Sequence, residues 1–188
     1  MGKTEKKPRK TLQQQHGKSK LELGRRKSSA PLTTDAFYLF WGKFASQWHK
    51  CTFVIDDQEY SSAEQYMMAE KARLFGDDDM CRQILATRDT KKQKQLGRKV
   101  RGFNIDLWNA ACEDIVYKGN LAKFQQNPKL LAKLKATGSR EIAEASPKDT
   151  IWGIGLSADD PRAQDREKWK GKNLLGKALM RVRSELCN

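Results

Sequence analysis

Glu64 and Lys71 stand seven residues apart in the stretch Ser61-Ser62-Ala63-Glu64-Gln65-Tyr66-Met67-Met68-Ala69-Glu70-Lys71. Ser61 and Ser62 are each followed three residues later by Glu64 and Gln65, the spacing of a capping box that starts a helix. On that helix Glu64, Met67, Met68, Lys71, Leu74 and Phe75 recur at steps of three and four and share one stripe. Apolar residues on such a stripe face the core, and charges among them sit at its margin or point into a cavity. At ~1.5 Å per residue the two charges are about 10 Å apart along the axis, too far for a direct ion pair. An unpaired acid and an unpaired amine facing the same space predict a pocket.

A second region combines chemistry-bearing residues with glycines: Glu144-Ala145-Ser146-Pro147-Lys148-Asp149-Thr150-Ile151-Trp152-Gly153-Ile154-Gly155-Leu156. Gly153 and Gly155 would let the backbone approach a ligand closely, and the Trp152 indole offers a flat face for a base or a sugar. The same residues also read as a tight turn beside a core tryptophan. Gly153-x-Gly155 lacks the third glycine of a dinucleotide fingerprint. Further on, Lys170-Gly171-Lys172-Asn173 precedes the last helix, and a helix start beside two lysines suits a phosphate. Its alternative is a capped helix with exposed lysines.

The elements that would position these residues are mostly helical. Phe37 to Phe44 reads as strand-like, and Thr52 to Tyr60 as a short hairpin turning at Asp56-Asp57-Gln58 and feeding the helix at Ser61. Helices are expected over Asp77–Thr87 and Thr90–Val100. A longer one spans Ile105–Gln126, with Gly119 as a possible irregularity. Pro128 opens a helix to Ala136, Glu141–Ala145 reads as a short strand, and 146–172 as loop. Leu174–Leu186 is a final helix with Asn173 as its cap. The sum is a helix-dominated α+β single domain with a small sheet and a hairpin.

Residues 1–29 carry ten Lys and Arg against Glu5 and Glu22, a net +8 of the chain's +14. With Leu12, Leu21 and Leu23 as their only large apolar residues, they cannot offset the entropy of ordering. Residues 1–32 are therefore expected to be a disordered basic arm, and 33–188 a domain long enough to bury its own core. The clusters Lys6-Lys7-Pro8-Arg9-Lys10 and Arg25-Arg26-Lys27 read either as nuclear-import or nucleic-acid patches or as a solubilising tail. No apolar run is long enough for a signal peptide or a membrane span, and Lys6 breaks the myristoylation pattern. A soluble intracellular protein, cytoplasmic or nuclear, is expected. Cys51, Cys81, Cys112 and Cys187 are scattered, and His16 and His49 are the only histidines, so neither a zinc site nor a cysteine nucleophile is expected.

Several segments occur in a diagnostic order: Tyr60-x-Ser62-x-Glu64-x-Tyr66, Lys71-Ala72, Phe75-Gly76-Asp77, Leu96-Gly97-Arg98, Trp108, Lys123-Phe124, Thr137-Gly138, Glu144-Ala145-Ser146-Pro147 with Asp149-x-x-Trp152-Gly153-x-Gly155, and Trp169-x-Gly171-Lys172-Asn173-x-Leu175-Gly176 with Val182-Arg183. Together they resemble the NADAR (NAD- and ADP-ribose-associated) family from about Phe37 to Leu186. The resemblance implies hydrolysis of an N-glycosidic bond between ribose C1 and an exocyclic base amine, with no cofactor or metal. Its substrates would be ADP-ribose on guanine in nucleic acid or ribosylamino-pyrimidine intermediates of riboflavin synthesis. Such a glycosylamine can open its sugar ring to an imine, with which a neutral lysine could exchange.

Carried onto this chain, the resemblance makes Lys71 the nucleophile candidate, Glu64 the general acid/base, and Asp149 a ribose-orienting or second acid/base group. Trp108 and Trp152 would wall the pocket beside Gly153 and Gly155, and Lys172 and Asn173 would bind phosphate. Local alternatives stand beside each: a capping box for Glu64, a snorkelling rim position for Lys71, a core anchor for Trp108. A rival chemistry uses two carboxylates and water around an oxocarbenium-like transition state, with Lys71 only electrostatic. The chain has Ile154 where some members carry an acid, and Phe44-Ala45-Ser46-Gln47-Trp48 departs from the commoner Phe-Ser-Asn-aromatic pattern. The first expectation is removal of ADP-ribose from guanine in DNA, with the basic arm favouring a polyanionic partner. The alternatives are hydrolysis of phosphorylated riboflavin intermediates and a non-catalytic reader of ADP-ribose or NAD.

Overall fold

The computed structural model describes Met1, Gly2 and residues 36–187; the rest of the expected basic arm lies outside them. In chain order the described elements are β1 (Phe37–Phe40), β2 (Phe53–Ile55), β3 (Gln58–Tyr60), α1 (Ala63–Leu74), α2 (Asp78–Leu85), α3 (Thr90–Gly97), α4 (Ile105–Gln125), α5 (Pro128–Lys135), β4 (Glu141–Glu144) and α6 (Leu174–Cys187). Two short 3-10 turns, Pro161–Gln164 and Arg166–Lys168, punctuate the otherwise irregular segment before α6. The helix-dominated α+β domain read from the sequence is the architecture found.

Strand β1 stops at Phe40, four residues short of the expected stretch, because Gly42 and Lys43 take the left-handed φ values +71° and +58°. Its partner is β4, in parallel, with Phe37 opposite Glu141 and Phe40 opposite Glu144. Parallel strands need a crossover, and here five helices supply it. The expected hairpin is present as β2–β3, turning through Asp56 and Asp57 at φ +49° and +60°, the left-handed pair of a tight two-residue turn.

Helix α1 begins where the serine pair predicts, but Gln65 rather than Glu64 completes the box. Ser62 Oγ accepts from Gln65 N at 3.0 Å, and Gln65 Oε1 accepts from Ser61 N at 2.7 Å and Ser61 Oγ at 2.9 Å. Gln65 Nε2 donates to the carbonyls of Ile84, Leu85 and Thr87, tying the helix start to the end of α2. Glu64 is thereby released from capping, and its N–H donates to Gln47 O at 3.0 Å.

Helix α1 is the centre of the domain, packed by α2, α3 and α4, while α6 covers α4 and β4. Residues Ala63 through Ala69 are all buried, an unusual state for a first turn. Close approach requires glycine at two positions. A Cβ on Gly97 would lie 2.0 Å from Met68 Sδ, and one on Gly119 would lie 2.5 Å from Tyr66 Cδ1. Gly119 is therefore no irregularity: α4 runs straight through it, and the missing side chain makes room for the Tyr66 ring. Gly119→Ala should lower stability by about 1–3 kcal/mol through overpacking, although alanine is the better helix former. Urea denaturation checks this, and an unchanged or raised midpoint would contradict it.

Candidate active site

The stripe of α1 that carries both Glu64 and Lys71 faces one cavity of about 250 Å³. Glu64, Met67, Met68 and Lys71 form one wall; Lys94, Gly97 and Arg98 of α3 and its end form another; Trp108 comes from α4. The loop after β1 contributes Ser46, Gln47 and Trp48, and β4 with its following loop contributes Glu144, Asp149, Ile151 and Trp152. Sites that enclose a drug-sized ligand run to ~300–1,000 Å³. A ligand larger than a ribosyl group with part of a base must therefore extend over the rim, where Trp48 and Ile151 are exposed.

Glu64 is 2% exposed, and its Oε1 has no hydrogen-bond partner among the described residues. Burial pushes its carboxyl up to about 7, Asp149 adds to the rise, and Lys94, a hydrogen bond with Trp48 and Arg98 oppose it. Glu144 is also raised to about 7, first by burial and then by Asp149 and Glu64, against the pull of Lys94. The cavity therefore holds two carboxyls that repel each other and keep a proton into the neutral range. Lys71 is half-buried, with Nζ 4.1 Å from the Phe103 ring centroid and 5.5 Å from that of Trp108. Burial lowers its pKa, the direction a nucleophilic amine requires.

The loop beside Glu64 is fixed from beneath by α4. Lys123 is fully buried and its Nζ donates to Ser46 O at 2.9 Å; Asn120 Nδ2 donates to Gln47 Oε1 at 2.8 Å. Desolvation pulls the Lys123 ammonium down to about 8. The two α4 side chains, three residues apart on one face, thus place Ser46, Gln47 and Trp48 against the carboxyl.

Of the residues singled out from the sequence, Glu64, Lys71, Trp108, Asp149 and Trp152 meet at this cavity. Asp149 also builds its own loop, Oδ1 accepting from Ile151 N at 3.0 Å and Trp152 N at 2.8 Å. Gly153 and Gly155 do not line the cavity. A Cβ on Gly153 would lie 2.8 Å from Glu144 O, and Gly155 sits at φ +69° with Lys170 Cβ 2.9 Å from where its own Cβ would be, so both serve close packing.

Lys172 and Asn173 are also absent from the cavity wall: Lys172 is exposed, and Asn173 is buried at φ +53°. Asn173 Nδ2 donates to Ile142 O at 2.9 Å and Oδ1 accepts from Glu144 N at 3.1 Å, so its amide locks α6 to β4 and is not available to a phosphate. Its carbonyl does accept from Lys177 N at the start of α6, but its side chain does not cap the helix. Beside Lys71, the basic side chains at the cavity are Lys94 and Arg98, which with Glu144 and Gln47 were not among the residues singled out from the sequence. Leu96-Gly97-Arg98 and Glu144-Ala145-Ser146-Pro147 contain Arg98 and Glu144, while Lys94 lies in neither.

The fold and the cavity define a single-domain protein with a pocket of mixed acidic, basic and aromatic lining, equipped for acid–base chemistry. The NADAR domain matches residues 39–187, and the chain belongs to that family. It is 53% identical over 127 residues to N-glycosidase R617 of Acanthamoeba polyphaga mimivirus, covering 68% of this chain and 75% of that protein. It is 28% identical over 133 residues to N-glycosidase YbiA of Escherichia coli, covering 71% and 74%. The NMR structure of E. coli YbiA superposes with a TM-score of 0.68 at 25% identity, over 83% of this chain and 88% of that one.

The raised carboxyls have a consequence for stability. In the folded state Glu64 keeps its proton to about pH 7, but when unfolded only to about 4.5, so stability falls as pH rises through that window. Glu64→Gln removes the charge that must be desolvated and should raise stability at about pH 8 by on the order of 3 kcal/mol, the gain vanishing below about pH 4. Thermal melts of both proteins across this range check it; a variant less stable at the alkaline end would refute the desolvated-carboxyl account.

Proposed function

We propose that this NADAR protein is an N-glycosidase that hydrolyses the bond between ribose C1 and an exocyclic base amine, with ADP-ribose on guanine in DNA as its substrate. The observation that carries the reading is the Glu64–Glu144 pair. These two carboxyls hold a proton near neutrality in a pocket that also contains a half-buried lysine and three tryptophans. N-glycosidase is the activity named for the relatives R617 and YbiA.

The chemistry follows from the substrate's exocyclic nitrogen. Its lone pair expels the ring oxygen from C1, the protonated carboxyl of Glu64 gives that oxygen its proton, and a protonated imine (iminium) forms. Neutral Lys71 adds to C1; a proton passes from the added lysine nitrogen to the base amine, which leaves, and a protonated Schiff base joins Lys71 to the sugar. Water, deprotonated by Glu144, adds to C1 and displaces the lysine, and the open sugar recloses. The balance is one water consumed, with the unmodified base amine and ADP-ribose released. A carboxyl near neutrality suits both halves, since it must give a proton and later take one. Trp108 and Trp152 supply the flat walls against which sugar and base are held.

A second reading has its own support. The chain is 29% identical over 143 residues to riboflavin biosynthesis protein VVA0006 of Vibrio vulnificus, of which it spans 35%. Phosphorylated ribosylamino-pyrimidines present the same glycosylamine to the same pocket.

Chromatographic assay of single-stranded DNA carrying ADP-ribosylated guanine beside a ribosylamino-pyrimidine phosphate distinguishes the two. Release of ADP-ribose from the DNA is expected, reduced about 10²–10⁴-fold by Glu64→Ala and by Glu144→Ala. Turnover of the pyrimidine alone would favour the second reading, and ligand binding with no turnover would leave a reader module. Borohydride added during turnover should trap a sugar adduct on Lys71, and Lys71→Arg should abolish both adduct and activity; active enzyme without adduct would leave Lys71 electrostatic. The rate should peak near pH 7, and Glu144→Gln should remove one limb of that profile.

A further inference from the structure

Residues 88–101 hold seven cations, Arg88, Lys91, Lys92, Lys94, Arg98, Lys99 and Arg101, against the single acid Asp89. Two of them have partners: Arg88 pairs with Glu59, and Arg101 with Asp77 and Asp79. Asp89 is occupied as the N-cap of α3, accepting from Lys91 N and Lys92 N. Lys91, Lys92, Lys94, Arg98 and Lys99 make no ion pair among the described residues. Self-repulsion of this kind is a standing cost unless an anion relieves it.

The arrangement is directional. Lys91, Lys94 and Arg98 fall at i, i+3 and i+7 on one stripe of α3 and its C-cap, and the last two reach the cavity wall. Seven residues at ~1.5 Å span about 10 Å, long enough for two or three consecutive phosphates of a strand. At the cavity end of the stripe Lys94 Nζ lies 5.7 Å over the Trp48 ring, and that indole is 41% exposed. A cationic track ending in an exposed indole is the pairing by which single strands are held, phosphates on the cations and a base on the ring. The small cavity adds the same requirement: a guanine reaches Glu64 only after leaving its stack, and its strand must then lie outside.

We propose that the α3 stripe Lys91–Lys94–Arg98, flanked by Lys92 and Lys99, binds the phosphate backbone of a single-stranded nucleic acid whose modified guanine enters the pocket beside Trp48. This rests on the DNA reading of the substrate, and it locates the strand on the folded domain as well as on the basic arm.

The test uses the full chain and a fluorescent, unmodified single-stranded oligonucleotide, with Kd measured by anisotropy across a salt series. The comparison is Lys91→Gln/Lys92→Gln/Lys99→Gln, which leaves every cavity residue in place. Three lost phosphate contacts should flatten the log Kd against log salt slope by about 2, at ~0.7 per contact. The triple variant should still release ADP-ribose from ADP-ribosylated guanosine, a substrate without a strand, at the wild-type rate. An unchanged slope, or a wild type that does not bind the strand, overturns the proposal. A flattened slope in a protein that cleaves neither ADP-ribosylated substrate upholds the strand site and overturns the activity instead.

Discussion

Helix starts normally sit in water, where their free N–H groups are easily satisfied. The start of α1 is buried, and the surrounding structure has to meet its needs. Ser62 and Gln65 close the box, Gln65 reaches across to α2, and the Glu64 N–H is taken by the Gln47 carbonyl. Among the buried side-chain atoms of this turn the Glu64 carboxyl is the exception, its Oε1 left bare. Desolvation of that one group is what gives the pocket its acid, and it is costly enough that the neighbouring loop must be held rigidly to maintain it.

The holding is done by groups that are themselves costly. Lys123 is fully buried with a single carbonyl as hydrogen-bond partner, and Asn120 keeps one oxygen unsatisfied while donating to Gln47. Apolar side chains there would avoid the burial of an ammonium and an unsatisfied amide oxygen. What they could not do is fix the direction of the Ser46 carbonyl and the Gln47 amide. The pocket thus sets its acids beside the cations of α3 and its amine, Lys71, against aromatic rings.

The sequence was most informative where chemistry and periodicity coincide. The α1 start and the Glu64–Lys71 stripe were legible because both are local: a cap signal and a step of three and four. The hairpin was legible for the same reason. Glu144 was not, because nothing nearby in sequence shows that β4 pairs with β1 and swings the end of that strand to α1. Lys94 and Arg98 read as ordinary charges on a polar helix, since only the packing of α3 on α1 turns them inward. Asn173 fitted a general rule for helix starts, but it adopts a left-handed backbone and turns its amide to the strand. The glycines of the Trp152 loop allowed two readings, and backbone packing against Glu144 O decides for the turn.

The Asn173 lock bears on the order in which this protein is built. During synthesis α1 emerges early and can cap itself, but Glu144 has no fixed place until β4 has joined β1 across an intervening hundred residues and the amide of Asn173 has closed on it. The acid pair therefore depends on contacts far apart in sequence, the β1–β4 pairing and the Asn173 bridge between α6 and β4, and not on α1 alone.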